Sequence, residues 1–435
     1  MSTDGEKIYS LAKRIFPIYR CLMGDGVRET LDILEENIDV NGQIRISRIE
    51  VPSGTEVFDW TIPMEWSVGE AYIENENGKR ILDIRDNNLC LVGYSIPVDK
   101  WVDKEELLKC LYVQENQPDV IPYVTSYYKE RYGFCMTKNM RDFLQEGKYH
   151  IYIDSQFFNG SLTYDEVVIQ GESEEEIFFS TYICHPSMAN NECSGPALMV
   201  ELINYVSSLE NRRYTYRFLF IPETIGAITY MSKNLDYMQA HIVAGFNLTC
   251  VGDDRDYSIV HTRYANTLAD KALTNILSKR GKYSDYSFLQ RGSDERQYNA
   301  PLAALPIVTY CRSKFHTFPE YHTSADDMDF VSSKGFQGSY DVMRELIQAL
   351  EYNFYYKIKV CCEPQLGKRG LYPTISKKGN TDIVKNLMDF IAYADGTNDL
   401  FDISNIIGVP IRELLPEIIK LRENDLIEVN SHMKY

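Results

Sequence analysis

Two histidines and one glutamate lie in polar segments of the sequence, and two of the three directly follow apolar runs. His185 follows EIFFSTYIC, Glu223 follows YRFLFIP, and His322 lies in EYHTSADD. In open α/β sheets, ligands bind outside the carboxyl ends of the strands, so these side chains could meet in one crevice. Neutral imidazole and carboxylate are zinc ligands, and zinc with an open coordination position acidifies water and polarises a carbonyl. We therefore predict one zinc ion on His185 and His322, with Glu223 as the proton-transferring base.

Each of these residues also has a simpler interpretation. A histidine after a buried strand is more often hydrogen-bonded within the core than bound to a metal. Glu223 could cap the helix that follows it. The three residues together point to a site more specifically than any one of them alone.

The middle of the chain alternates between strand and helix patterns from Lys148 to about Cys362. This order predicts an α/β fold with a mixed, mostly parallel sheet flanked by helices on both faces. YHIYIDSQF and TYDEVVIQG are predicted to form a hairpin. The later strands and helices are predicted at EIFFSTYICHP, GPALMVELINYVSSL, YRFLFIPETIG, HIVAGFNLTCVG, LADKALTNILSKRG, LPIVTYCR and KGFQGSYDVMRELIQALEYNF.

The two ends of the chain have different patterns. Residues up to about Glu36 are spaced as helices, and residues 43–97 alternate in short runs with a hairpin signal at Asn77-Gly78. After about Gly367 the order helix, short helix, longer helix and strand is typical of a winged helix. We predict an α/β domain at 1–42 and 98–366, an inserted β domain at 43–97 and a winged-helix domain at 367–435.

The charge argues against nucleic acid as a partner. With 45 Lys and Arg against 63 Asp and Glu, the chain carries a net charge of −18, which repels phosphate and anionic lipid. The segment 410–425 mixes basic with acidic residues, so we interpret the winged helix as a docking or dimerisation element. The expected partner is a small molecule or short peptide, and a homo-oligomer is compatible with such a tail.

No export or membrane segment is predicted. The first twenty residues lack an uninterrupted apolar stretch, and no stretch approaches about 18 apolar residues. The ten cysteines contain no C-x-x-C pair, which is typical of reduced thiols. We expect a cytoplasmic protein that binds neither membrane nor nucleic acid.

Four motifs give the chain a family resemblance. CHPS at 184–187, PETIG at 222–226, GSDERQY at 292–298 and YHTS at 321–324 resemble zinc-dependent aminopeptidases with a phosphorylase/hydrolase-like α/β fold. More narrowly, almost the whole chain resembles a bacterial branch of aminopeptidase-like proteins with a small inserted β domain and a winged-helix tail. The resemblance implies peptidase-type hydrolysis, and it suggests a role in cell-surface polysaccharide biosynthesis.

The resemblance also implies residue roles, with three departures. His185 and His322 match the two histidines of two-zinc members, and Glu223 matches the first residue of a Glu pair, the base, although a shifted alignment would make it a ligand. The departures are Asn191 at the bridging Asp, Thr224 at the second Glu and Thr249 at a later Asp. Two nearby dications need bridging negative charge, which Asn cannot supply, so we expect one zinc ion.

Further residues could complete the site. Glu192, next to Asn191, could serve as a ligand or support one, or it could be a solvated turn residue. Glu295 is another candidate for completing the metal site. Asp294 and Glu295 could bind a substrate ammonium, and Arg296 a carboxylate or phosphate, or these three could form a salt-bridged loop.

The sequence therefore favours a metal-dependent hydrolase of aminopeptidase type, acting on an amide bond of a small peptide or an aminoacyl or sugar amide. The alternative is a catalytically degenerate relative that binds a ligand or a partner without hydrolysis, since a fold does not fix its chemistry. A transcription regulator is disfavoured, because the would-be recognition helix is not basic.

Overall fold

The computed structural model of this chain describes residues 2–39, 42, 44–371 and 380–431. The chain forms two compact units, one comprising Met1–Arg263 with Asp285–Tyr340 and the other Tyr264–Ser284 with Asp341–Tyr435. The long helix Ser333–Glu351 supplies residues to both. In the described ranges, no helix combines the length and the apolar character needed to cross a membrane.

An eight-stranded mixed sheet with flanking helices dominates the first unit, as the sequence predicts. In spatial order its strands are Ile44–Pro52, Ser161–Ile169, Thr215–Ile221, Glu176–Tyr182, Ile242–Leu248, Ile307–Cys311, Ser258–Val260 and Ser284–Tyr286. The central neighbours from Thr215–Ile221 to Ile307–Cys311 are parallel. Three flanking pairs are antiparallel: Ile44–Pro52 with Ser161–Ile169, Ser161–Ile169 with Thr215–Ile221, and Ser258–Val260 with Ile307–Cys311. The helices that lie wholly in this unit are Asp4–Ile15, Asp25–Glu36, Lys104–Leu108, Lys138–Asp142, Ser194–Ser207, Ile225–His241 and Glu295–Tyr298.

The central strands are buried along their whole length. Every residue of Glu176–Tyr182 and of Thr215–Ile221 is buried, which explains why their sequences are largely apolar runs rather than alternating ones. The charged side chains in these strands are paired, because Arg217 Nη2 lies 2.7 Å from Glu176 Oε1. A buried charge without such a partner would strongly destabilise the sheet.

A four-stranded antiparallel sheet forms a second layer of the same unit. Its strands, in order, are Arg80–Asp83, Glu65–Asn75, Lys148–Phe158 and Val98–Asp103. The hairpin predicted at Asn77-Gly78 is present, with Gly78 at φ +75° in the turn. Two small strand pairs, Glu56–Val57 with Trp60–Thr61 and Leu111–Tyr112 with Phe134–Cys135, complete the strands of this unit in the described ranges.

Strand pairing differs from the sequence expectation at two places. The sequence predicts that YHIYIDSQF and TYDEVVIQG form a hairpin. The strands observed there, Lys148–Phe158 and Ser161–Ile169, belong to different sheets, so that prediction is wrong. Ile44–Pro52, which the prediction assigns to the inserted domain, pairs with Ser161–Ile169 in the large sheet. Period-2 alternation identifies a strand and its faces, but it does not specify which edge the strand joins. The domain limits themselves remain predictions.

The second unit contains the winged helix. In the described ranges, the α-helices of this unit are Leu268–Ser278, the end of Ser333–Glu351, and the three helices of the winged helix: Asn380–Tyr393, Leu400–Ile407 and Ile411–Glu423. Its sheet has the order Asp395–Asp399, Tyr355–Ile358 and Ile427–Asn430. Three helices followed by a strand confirm the predicted winged helix. Its sheet also recruits Tyr355–Ile358, which precedes the predicted boundary at 367.

Candidate active site at the carboxyl ends of the central strands

Parallel pairing brings His185 and Glu223 together. Tyr182 is in register with Ile221 in neighbouring strands, and His185 and Glu223 follow these positions by three and two residues. The backbone of His185 is held by Arg20, whose Nε donates to the His185 carbonyl at 3.0 Å. Arg20 is 1% exposed, and its role was not predicted from the sequence, because it lies 165 residues away along the chain.

The His185 ring lies between two carboxylates. Its Nδ1 is 2.6 Å from Glu192 Oε2 and its Nε2 is 3.5 Å from Glu223 Oε2. The His185 and Glu192 side chains are 7% and 1% exposed, whereas that of Glu223 is 20% exposed. Glu192 therefore orients the ring from inside, and Glu223 faces the other nitrogen from the solvent side.

Burial and neighbouring charges favour the protonated forms of His185 and Glu223. Burial acts to lower the pKa of His185, but Cys184 and Glu192 outweigh it and hold the pKa well above its usual range. Burial also raises the pKa of Glu223, although His185 and Arg296 oppose that rise. The ring therefore carries a proton toward Glu223, and a metal ion at Nε2 would have to displace it.

His322, which lies late in the sequence of the first unit, packs beside His185. Its ring centroid lies 5.6 Å from that of His185, and it stacks on Tyr321 at 3.9 Å. Burial, with His185 and His316 nearby, lowers the pKa of His322 to about 2. The ring is therefore neutral, which is the form that binds metal.

Tyr123 spans the two histidines, and no sequence signal singled it out from the other tyrosines near it. Its ring centroid is 5.1 Å from that of His185 and 5.2 Å from that of His322, edge-on in both cases. Its backbone N–H donates to the His322 carbonyl at 2.9 Å. An isolated bridge between Pro122 and Thr323 continues this pairing. The tyrosine-rich segment therefore fixes His322, whose φ of +56° is unusual for a side-chain-bearing residue.

Neutral side chains occupy the three positions that depart from the two-zinc pattern. Asn191 Nδ2 donates to the Tyr182 hydroxyl at 2.7 Å, and that hydroxyl is paired with Thr249 Oγ1 at 2.5 Å. Thr249 Oγ1 also donates to the backbone carbonyl of Asn191 at 3.2 Å. The third position, Thr224, accepts a hydrogen bond from the Arg296 guanidinium. Asn191, Thr224 and Thr249 have no carboxylate that could bind a second dication. Asn191 and Thr249 both hydrogen-bond to the Tyr182 hydroxyl, and Thr224 hydrogen-bonds to the Arg296 guanidinium.

The turn that carries Asn191 and Glu192 rests on a buried carboxylate. Asp326 accepts from the backbone N–H of Asn190 at 2.6 Å and of Asn191 at 2.9 Å, one on each oxygen. Burial raises the pKa of Asp326 to about 7, despite these two hydrogen bonds. No local sequence pattern singles out Asp326, because its partners lie about 135 residues earlier.

The predicted substrate residues divide by exposure. Glu295 is 0% exposed and accepts from Gly292 N–H at 2.7 Å and Thr309 Oγ1 at 2.8 Å, so it shapes its loop. Asp294 is also fully buried and accepts from Thr224 N–H at 2.7 Å. Burial, followed by the nearby Glu223, raises the pKa of Asp294. Arg296 is exposed. The substrate-binding assignments remain predictions, and Arg296 is the member of the three that solvent reaches.

One metal ion suits the donor chemistry here, and two do not. His185 Nε2 and Glu223 Oε2 are 3.5 Å apart, close to the ~3.4 Å between two ligands of a tetrahedral zinc ion. Three donor atoms within 4.8 Å of one another occur, among the described residues, in Cys184, His185 and Glu192. At 2.6 Å, however, His185 and Glu192 share a hydrogen bond. Two ligands therefore have suitable spacing. The neutral His322, whose ring centroid is 5.6 Å from that of His185, does not form a three-donor group with them among the described residues.

Comparison with known proteins agrees with this architecture. Residues 9–353 match a family described as a domain of unknown function (DUF4910), and residues 353–429 match a winged helix-turn-helix family. A Clostridium acetobutylicum protein, provisionally named for polysaccharide biosynthesis and an aminopeptidase-like domain, is 41% identical over 416 residues, covering 95% of this chain and 94% of that protein.

Solved structures extend the comparison. A crystal structure from Clostridium acetobutylicum, provisionally named a peptidase, is 39% identical with a TM-score of 0.90, covering 98% of this chain and 96% of that one. A zinc aminopeptidase from Bacillus subtilis is 13% identical with a TM-score of 0.56, covering 80% of this chain and 94% of that one. The latter likeness concerns the fold alone.

These features define an aminopeptidase-like α/β fold followed by a winged helix, as the sequence resemblance implies. The chain belongs to the DUF4910 family. The ligand, base and substrate roles assigned to individual side chains remain predictions.

Proposed function

We propose that this protein is a metal-dependent hydrolase of aminopeptidase type. It would cleave an amide bond in a small peptide or in an aminoacyl or sugar amide, in a pathway of polysaccharide biosynthesis. The observation that carries the proposal is the line Glu192, His185, Glu223, with separations of 2.6 Å and 3.5 Å. A carboxylate that orients an imidazole from behind is the usual support of a metal-binding histidine.

The chain's own residues divide the work. Glu192 accepts the Nδ1 proton of His185 and so directs Nε2 to the open side of the site. His185 and His322, with Glu223 or water, would hold one zinc ion. When bound, zinc would polarise the substrate carbonyl and acidify a water molecule. Glu223 reaches solvent, so its carboxylate could take a proton from water and deliver it to the leaving amine.

Arg296, close to Glu223, favours a substrate with an anionic group. The Arg296 guanidinium donates to Thr224 Oγ1, next to Glu223 in sequence. A guanidinium recognises carboxylate and phosphate by paired hydrogen bonds. We therefore place Arg296 at the substrate-binding part of the site. Asp294 and Glu295 are both buried, so they would hold the loop in position rather than contact the substrate.

A second candidate is a ligand-binding protein without hydrolytic activity. The observation that favours it is that neutral side chains, Tyr182, Asn191 and Thr249, hydrogen-bond to one another at 2.5 to 3.2 Å where a two-zinc site would carry carboxylates. Neutral side chains supply no negative charge to hold a second metal ion, and the buried Asn191 Oδ1 has no hydrogen-bond partner within the described residues. Such a protein would bind the same class of amide without turning it over.

The test is a hydrolysis screen on zinc-loaded protein with aminoacyl compounds and N-acetylated sugar amides. Glu223→Gln should lose turnover by about 10²- to 10⁴-fold, the usual contribution of general base catalysis. Zinc retained in this variant would assign Glu223 as the base, and zinc lost would assign it as a ligand. Glu56→Gln, on an exposed hairpin, is the matched control and should turn over normally. Unchanged turnover in Glu223→Gln would remove Glu223 from the role of base. Ligand binding without turnover in the wild-type protein would establish the second candidate.

A further inference from the structure

Two adjacent cysteines in the second unit differ from the other eight in the chain. Cys361 and Cys362 follow the strand Tyr355–Ile358 and are both exposed, whereas seven of the remaining cysteines are buried and Cys21 is partly buried. Their sulfur atoms are 3.9 Å apart. None of the ten cysteines forms a disulfide. This pair is therefore the part of the chain where two thiols are together accessible to a reagent.

The backbone explains why the two sulfurs meet. In an extended chain, neighbouring side chains point to opposite sides. Here Cys362 has a φ of +61°, in the left-handed region, within a bend that follows the strand. The bend interrupts the alternation, so both sulfurs lie together on the exposed surface.

The spacing favours an ion between the sulfurs over a bond between them. A disulfide needs sulfurs about 2.05 Å apart and Cα atoms usually 4.4–6.8 Å apart, whereas the Cα atoms of adjacent residues are ~3.8 Å apart across a trans peptide. Two thiolates on one tetrahedral zinc ion, with Zn–S of about 2.3 Å, have sulfurs ~3.8 Å apart. The observed 3.9 Å is the distance of a hydrogen bond between the two thiols, and it differs by only about 0.1 Å from the second arrangement.

We propose that Cys361 and Cys362 form a chelating dithiol for a thiophilic ion, such as zinc, cadmium or trivalent arsenic. The pair supplies two sulfur ligands, and water or a small thiol completes the coordination. This site shares no residue with the candidate active site and does not depend on the proposed hydrolase activity.

Phenylarsine oxide is a suitable probe, because its trivalent arsenic carries one oxygen that two thiols can replace. Two As–S bonds form and the As–O double bond breaks. The oxygen leaves as water with both thiol protons, and arsenic is neither oxidised nor reduced. The product is a single ring that contains arsenic and both sulfurs.

The experiment is a binding titration of the reduced full-length protein with phenylarsine oxide, followed by intact mass spectrometry. We expect one arsenical per chain. Cys361→Ser and Cys362→Ser should each weaken binding by about 10²- to 10⁴-fold, because the second sulfur then no longer acts at high effective concentration. Cys21→Ser, which leaves the pair intact, is the matched control and should bind as the wild-type protein does.

Two results would overturn the proposal. One is wild-type protein that takes up no arsenical under reducing conditions. The other is undiminished one-to-one uptake in both serine variants, which would place the reactive thiols elsewhere. Both substitutions are at exposed positions, so circular dichroism should report an unchanged fold.

Discussion

Asp326 offers the sharpest test of how the site is held, because it supports the turn of Asn190 and Asn191 while buried from solvent. Burial raises its pKa from 3.8 to about 7. The folded chain therefore binds this proton more tightly than the unfolded chain does. Stability from this group is present at low pH and is lost as the pH rises from about 4 through about 7. Asp326→Asn removes the titration and should remove this pH dependence.

The magnitude follows from the two pKa values. Linkage between 3.8 in the unfolded chain and about 7 in the folded chain gives a loss of about 2 to 3 kcal/mol in the free energy of unfolding between pH 5 and pH 8. Asp326→Asn has one acceptor oxygen fewer, so one of the two backbone N–H groups loses its hydrogen bond. At pH 8 the variant should therefore be less stable than removal of the charge alone would predict. Between pH 5 and pH 8 the wild-type protein should lose about 2 to 3 kcal/mol of unfolding free energy that the variant keeps, so the difference between the two proteins should change by that amount in favour of the variant.

Urea unfolding followed by tryptophan fluorescence is the assay. The three tryptophans, Trp60, Trp66 and Trp101, all lie in the first unit, and Trp66 is buried. Midpoints measured at pH 5, 6, 7 and 8 for wild type and Asp326→Asn give the difference directly, because other titrating groups are common to both. A difference between the two proteins that stays constant with pH would refute the reasoning.

Two further substitutions test the neighbouring contacts. Glu192→Gln removes the charge 2.6 Å from His185 Nδ1 and should lower the pKa of His185. A histidine NMR titration measures this, and an unchanged pKa would mean that Glu192 does not control the ring. Glu295→Gln disturbs buried hydrogen bonds to Gly292 and Thr309 and should lower the free energy of unfolding by about 1 to 3 kcal/mol. The same fluorescence assay measures this, and an unshifted urea midpoint would show that the loop does not need the charge.

The sequence predicts the large sheet well, because its signals are local. Buried strands such as Glu176–Tyr182 are apolar runs bounded by polar segments, and the helices between them have a clear period. The winged helix is predicted for the same reason. The false hairpin between Lys148–Phe158 and Ser161–Ile169 has a different origin. Two consecutive strands separated by a short turn normally pair, and here the turn passes the chain from one sheet to the other.

The site is predictable in part. Strand ends place His185 and Glu223 side by side, since parallel register is a rule of the fold. The supports come from distant sequence positions. Arg20 holds the His185 carbonyl, Asp326 holds the turn, and Tyr123 contacts both histidines. No local pattern encodes such contacts, because each depends on the three-dimensional path of a loop.

Zinc stoichiometry tests the central claim most directly. Three proteins are compared, all with Cys361→Ser and Cys362→Ser so that the surface thiols bind no zinc: one without further change, one with His185→Ala and one with His322→Ala. Each is supplemented with zinc, desalted and analysed by elemental mass spectrometry. We expect one zinc ion per wild-type chain in this background and a large loss in each histidine variant. An absence of zinc, two ions per chain, or one ion retained in both histidine variants would contradict a single-metal site at these strand ends.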